Sequence, residues 1–225
     1  MANHLDLEEQ EQLDQLKHFW AQYGNLITWA LIAVLAAIAA WNGYQYWQRT
    51  QASQAAAMFD EVERVVRSGD IDKSERAFVD MRERFASQTY TQQAGLLVAK
   101  TAYEAGKPDV AKSALTWIAE KSGDKGYASI ARLRLSGVLM DAKAYDDANK
   151  VLGGEIADEF AALVADRKGD IYAAQGKRAE AGVEYLKAYK AFEERSDYRR
   201  LVEVKLNGLG IVPAADAAAS AEGAK

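Results

Sequence analysis

The chain has 225 residues, a formal net charge of −5, no cysteine, two prolines and two histidines. Without cysteine it has no disulfide scaffold, no thiol nucleophile, no Cys-ligated metal site and no lipid-bearing Cys anchor. Few prolines and much Ala, Glu, Lys and Leu disfavour a turn-rich β protein, so composition predicts an all-α fold, and length predicts one domain with an added segment.

The acidic excess is concentrated at the start. Asp6, Glu8, Glu9, Glu11 and Asp14 precede the first cation, Lys17. The remainder mixes both signs, and no basic cluster marks a nucleic-acid surface, so no nucleic-acid partner is expected. Residues 19–48 then carry no Asp, Glu, Lys or Arg. A helix needs about 20 residues to cross roughly 30 Å of hydrocarbon, and residues 24–46 supply them. Trp20, Tyr23 and Trp29 sit near one end, and Trp41, Tyr44, Tyr46 and Trp47 near the other. Such rings belong at the two headgroup levels. This pattern predicts an acidic leader over 1–23 and a single transmembrane helix over 24–47.

Two other readings of the segment compete. Ala37, Ile38 and Ala39 fit a signal-peptide cleavage site, but the preceding segment is long and acidic rather than short and basic. A buried core helix fits poorly with so long an uncharged run near an N-terminus. Within the segment, Ala30, Ala33, Ala37 and Ala40 recur at steps of three and four, opposite the bulkier Leu31, Val34, Leu35 and Ile38. Small residues let a second helix approach closely in lipid, so this row is a candidate packing face. The alternative is that Ala is simply common in this chain. Charge leaves the orientation open: Lys17 lies before the helix, and Arg49, Arg64 and Arg67 lie after it, only Arg49 close by.

From residue 50 the apolar pattern is helical. It predicts helices over 50–67, 72–86, 90–105, 108–121, 126–141, 145–152, 157–175, 177–195 and 198–207. The breaks fall at Gly69, at Gly106 to Pro108, at Gly123, at Lys143, at Gly153 and Gly154, and at Gly176. Each break offers a helix stop, a turn or a helix start. A repeat domain is expected over 48–212, and a disordered Ala-rich tail over 213–225.

The helices pair at a period of about 33–37 residues, which is a repeat signal. In the clearest unit Gly169 and Tyr172 lie on the first helix, Gly176 at the turn, and Ala181, Tyr185 and Ala188 on the second. This order resembles the tetratricopeptide repeat, where small residues let the paired helices pack closely. One unit earlier stand Ser136, Leu139, Ala148 and Leu152; one earlier again, Ala99, Ala102, Ala111 and Leu115. Residues 55–86 form a weaker pair. The repeat's early Trp and Leu-Gly pair and its closing Pro are missing. Three units in phase nevertheless predict a helix-hairpin solenoid, capped by the last helix.

Catalytic chemistry is scarce. His4 and His18 both precede the membrane helix, and neither Gly106–Lys107 nor Gly176–Lys177 is followed by Ser or Thr. That leaves no His-based triad in the repeats, no His-Glu-x-x-His zinc site and no phosphate-cradling loop. Gly208 and Gly210 lack the third glycine of a dinucleotide fingerprint. No catalytic, metal or cofactor residues are expected, and an enzyme is disfavoured. What remains is a surface. The first helices of the hairpins would line a groove carrying Leu96, Tyr103, Leu133, Met140, Asp166 and Asp170, suited to extended or amphipathic chains. Leu133 and Met140 also read as core residues, and the two aspartates as a solvated face.

The whole arrangement is similar to a known family. It has an acidic start, then Leu16, Lys17, His18, Phe19 and Trp20, one membrane helix, the aromatic run from Trp41 to Trp47, and hairpin repeats with the stretch from Leu163 to Tyr172. It resembles the YfgM-type ancillary subunits of the SecYEG translocon. The resemblance implies a bacterial inner-membrane anchor with a cytoplasmic N-terminus and a periplasmic repeat domain. It implies as partners the translocon, a membrane-anchored prolyl-isomerase-like chaperone and unfolded secreted chains, with a chaperone-like adaptor role. A membrane-tethered scaffold, or an assembly or cell-division coordinator with one fixed partner, stays open as the alternative.

Overall fold

The computed structural model describes residues 7–213. The first residues of the leader, and all of the expected tail except Pro213, lie outside the described residues. The chain divides into two compact units, Met1–Ser53 and Gln54–Lys225, and each is described by itself.

The described part of the first unit belongs to one helix, α1, Leu7–Arg67. Its apolar stretch is long enough to cross a membrane, and Leu26, Trp29, Leu31, Val34, Leu35, Ile38 and Trp41 on it are all exposed. A soluble core helix would bury such residues; a lipid-facing one exposes them all round. The sequence pattern suggested separate helices over 24–47 and 50–67. The helix continues between them because 44–67 holds neither Gly nor Pro to end it.

The second unit starts within α1 and continues with α2 (Ile71–Phe85), α3 (Thr89–Glu104), α4 (Pro108–Lys121), α5 (Lys125–Asp141), α6 (Tyr145–Val151), α7 (Ala161–Ala174), α8 (Arg178–Ala191) and α9 (Asp197–Gly208). A single 3₁₀ turn, Asp158–Phe160, precedes α7. No strand occurs among the described residues. Helix starts are capped where the sequence offers a cap. Asp70 accepts from the Lys73 N–H at 3.0 Å, Asp124 from the Gly126 N–H at 2.8 Å, and Pro108 opens α4.

The three hairpin turns share one geometry. Gly106, Lys143 and Gly176 have φ of 74°, 58° and 75°. The next residue's N–H reaches five residues back, Lys107 to Ala102 at 2.8 Å, Ala144 to Leu139 at 2.9 Å and Lys177 to Tyr172 at 2.9 Å. This left-handed turn satisfies the last carbonyls of the first helix and sends the chain back as the second. Glycine adopts that φ freely, whereas Lys143 adopts it at a cost.

Small residues set the helix spacing. Ala102, Ala111, Ala148 and Ala181 are fully buried. A Cβ on Gly95 of α3 would lie 2.7 Å from Phe78 of α2 and 2.8 Å from Ile118 of α4, and one on Gly169 would strike the Tyr185 ring. Helices this close leave no room for a methyl group. Three apolar clusters follow along the chain: Val62, Phe78, Met81 and Ile118; then Ala148, Leu152, Val164 and Ile171; then Tyr185, Val202 and Leu206. Neighbour packs on neighbour, as in a solenoid. The expected helix over 177–195 ends early. Phe192 turns extended at ψ 145° and its ring stacks on Tyr198, 5.7 Å away, which frees Ser196 to cap α9.

Candidate protein-binding cleft

The first helices α3 and α5 enclose a cleft of about 440 Å³. On α3 residues 99, 100, 103 and 104 share a face, and on α5 residues 134, 137, 138 and 141 do the same, by the spacing that places i, i+3 and i+4 together. The floor is apolar: Ala99, Leu115 and Val138 are buried, with Gly137 beside them. The rim is charged: Lys100, Glu104, Arg134 and Asp141 line it together with Tyr103, a residue 41% exposed. An apolar floor under a polar rim suits a peptide side chain seated beside a hydrogen-bonding backbone.

The rim is partly self-satisfied. The Tyr103 hydroxyl donates to the Asp141 carboxylate, and that bond holds the phenol above its ordinary pKa. Lys100 stands 3.9 Å from Glu104. Arg134 donates to the Leu96 carbonyl, at 3.5 Å. On the α7 side, a Cβ at Gly137 would lie 3.3 Å from Nη1 of Arg167.

Of the residues expected to line a groove, Tyr103 lines this cleft, and Leu96 is half-buried against the first core with its carbonyl at the rim. Leu133 and Met140 are half-buried against the cluster of Leu152 and Ile171, not in the cleft. Asp166 and Asp170 meet elsewhere, around the ammonium of Lys205 on α9. Lys205 lies 2.7 and 2.9 Å from the two Asp166 oxygens and 2.7 Å from Asp170, and the Tyr185 hydroxyl donates to Asp170 at 2.8 Å. Burial is the main reason the Asp166 carboxyl is held above its ordinary pKa, with Lys205 pulling it down. Burial, then the bond to Asp170, raises the Tyr185 phenol. This cluster ties the cap helix α9 to α7. Ala30, Ala33, Ala37 and Ala40 lie exposed along α1 in the first unit.

Pattern reading missed Lys100, Arg134, Gly137, Val138 and Asp141. One signal was available: Arg67, Lys100, Arg134, Arg167 and Arg200 recur at steps of 33, 34, 33 and 33 residues. That is the repeat period carried by charge rather than by small residues.

The family described as tetratricopeptide repeat-like domain matches the chain over residues 17–211. An ancillary SecYEG translocon subunit of Neisseria gonorrhoeae is 32% identical over 213 residues, spanning 93% of this chain and 100% of that protein. Proteins of the same description in Haemophilus influenzae and Escherichia coli are 28% and 24% identical. Those alignments each cover 90% of this chain and, respectively, 98% and 97% of the relative.

Proposed function

The chain belongs to the family of ancillary SecYEG translocon subunits, built on tetratricopeptide-like repeats, and from that premise we propose that it is a single-pass inner-membrane accessory of the Sec translocon. It acts as a non-catalytic adaptor whose repeat domain receives partner chains. The proposed organisation is a cytoplasmic acidic leader over 1–23, a membrane helix over 24–47 and a periplasmic repeat domain over 48–212. Its partners are the translocon, a membrane-anchored prolyl-isomerase-like chaperone, and secreted chains that have not yet folded.

The observation that carries this reading is the α3–α5 cleft. It is open and apolar at its floor, and its polar rim suits an extended backbone with little demand on sequence. It occurs in a chain whose apolar α1 stretch is long enough to fix it at a membrane. An adaptor for chains leaving the membrane needs both. The small-residue row Ala30, Ala33, Ala37 and Ala40 is the proposed face toward a translocon helix. Ala33→Leu with Ala37→Leu should weaken co-purification with the translocon more than Leu31→Ala with Leu35→Ala; equal losses would remove that role.

Orientation is tested with protease on osmotically opened cells whose inner membrane is intact. The repeat domain should be digested while an epitope ahead of Lys17 survives. Loss of the epitope with protection of the repeats would leave a cytoplasmic tethered scaffold in place of a secretion adaptor.

A further inference from the structure

The two walls of the α3–α5 cleft run in the same direction. Gln93 donates to the Tyr127 hydroxyl at 2.9 Å, Arg134 donates to the Leu96 carbonyl at 3.5 Å, and the Tyr103 hydroxyl donates to Asp141. These ties follow one order along both helices, so α3 and α5 are parallel. On α5 the cation Arg134 stands two turns before the anion Asp141, and on α3 Lys100 stands one turn before Glu104. The cleft is therefore cationic toward the helix starts and anionic toward the helix ends. Val138 lies between the two charges of the α5 wall, on the floor with Ala99 and Leu115.

These charges are accessible to a partner. Lys100 and Glu104 are 63% and 62% exposed and 3.9 Å apart, a surface pair held too weakly to keep an occupant out. Asp141 receives one phenol hydroxyl, and a carboxylate offers about four acceptor sites, so it keeps its charge and room for a cation. Arg134 is exposed and presents a planar fork of N–H donors. Resting on the reading of the cleft as a chain-binding site, we propose that its occupant is an extended segment of mixed charge. An Asp or Glu carboxylate lies at the Arg134 end, a Lys or Arg lies at the Glu104 and Asp141 end, and an apolar side chain rests on Val138 between them.

Spacing and charge select that occupant. The helix from Arg134 to Asp141 rises about 10 Å, a distance that about three residues of extended chain span at roughly 3.3 Å each. Acid and base therefore stand about three positions apart in the bound segment, with the apolar residue between. Glu104 and Asp141 are the last residues of their helices, where the helix dipoles add partial negative charge and favour a cation. A wholly acidic segment meets Glu104 and Asp141, and a wholly basic one meets Lys100 and Arg134, so like charges disfavour both. Either chain direction satisfies the charges, and the order of acid and base in a segment decides which way it lies.

The test uses the full chain in neutral detergent micelles, with signals corrected for empty micelles. The probes are four fluorescent peptides with capped termini. One carries Asp-Leu-Ala-Lys between glycines, and the others replace Asp by Asn, Lys by Gln, or both. At low salt the Asp–Lys peptide should bind roughly fivefold tighter than the Asn–Gln peptide, with a share from each charge, and added salt should shrink the margin. Arg134→Gln should remove the gain from Asp and keep the gain from Lys. Glu104→Gln should reduce the gain from Lys without reducing the gain from Asp. Lys190→Gln, on α8, should change neither. Equal binding of all four peptides to the unaltered chain overturns the inference while the cleft reading stands. A gain from Asp alone or from Lys alone assigns the cleft to a chain of one charge and overturns the inference. An Asp gain that survives Arg134→Gln, or a Lys gain lost with it while the melting temperature holds, contradicts a two-ended cleft. No binding of any peptide by the folded chain overturns the cleft reading and the inference together.

Discussion

Replacing Lys205 with Met tests how the solenoid is closed. The substitution keeps an apolar stem of similar length and removes the ammonium shared by Asp166 and Asp170. Side-chain exposure is 23% for Lys205, 13% for Asp166 and 27% for Asp170. Removing one partner of a buried ion pair costs about 3–5 kcal/mol, because a charge is left without compensation. Partial exposure lets water screen the orphaned carboxylates, so we expect a lower cost of about 2–3 kcal/mol. In a domain of this size each kcal/mol moves the melting temperature by about 2–4 °C, so the loss should be roughly 4–12 °C. The opening should be local at first, because end repeats contact one neighbour only. Hydrogen exchange of the full chain in micelles should therefore show α9 amides exchanging roughly 30- to 150-fold faster, with α3 changed much less. Asp166→Asn on the Lys205→Met background should recover part of the loss. An unchanged α9 exchange rate and a melting shift below about 1 °C would refute the view that this cluster fastens the cap.

Other perturbations probe turns, crossings and titration. Lys143→Gly relieves a positive φ at the α5–α6 turn and should stabilise by about 0.5–1 kcal/mol in thermal melts; a loss would mean the turn is not strained. Ala148→Phe and Ala181→Phe should each cost about 1–3 kcal/mol through overpacking, whereas Ala179→Phe, on the exposed side of α8, should cost little; three equal shifts would break the repeat register. The Asp166 carboxyl has its folded pKa raised above the ordinary 3.8, so its contribution is fully present below 3.8 and is lost as pH rises through the folded value. Melting temperatures of the unaltered chain relative to Asp166→Asn should accordingly improve as pH falls from neutral toward 3.8, and a relative decline would reverse the assigned direction.

The legible parts of this chain are those written in local pattern. Uncharged residues with aromatic flanks marked the apolar part of α1, and glycines marked most of the turns. The small positions around Ala148, Gly169 and Ala181 carried the repeat phase, because backbone proximity admits few residue types there. Features that depend on distant partners were not legible. Asp166 and Asp170 visibly share a helix face, but their cation is Lys205, which follows Asp166 by 39 residues. The early end of α8 depends on Phe192 finding Tyr198. Leu133 and Met140 fit both a groove and a core, and only packing against Leu152 and Ile171 separates the two. Arg134 was not legible as a cleft residue, because apolar and small residues carry the repeat pattern while a charge on a helix surface usually reports only solvation.

The most direct measurement places a photocrosslinking amino acid at Val138, in the floor of the cleft, within the full chain in living cells. A second sample carries it at Lys187, on α8 and outside the cleft. A secretory protein is then stalled partway through the translocon. Crosslinks from position 138 to the emerging part of that stalled chain, and few from 187, are the predicted result. Equal crosslinking from both positions, or crosslinks from 138 only to cytosolic proteins, would contradict a periplasmic cleft that receives translocating chains.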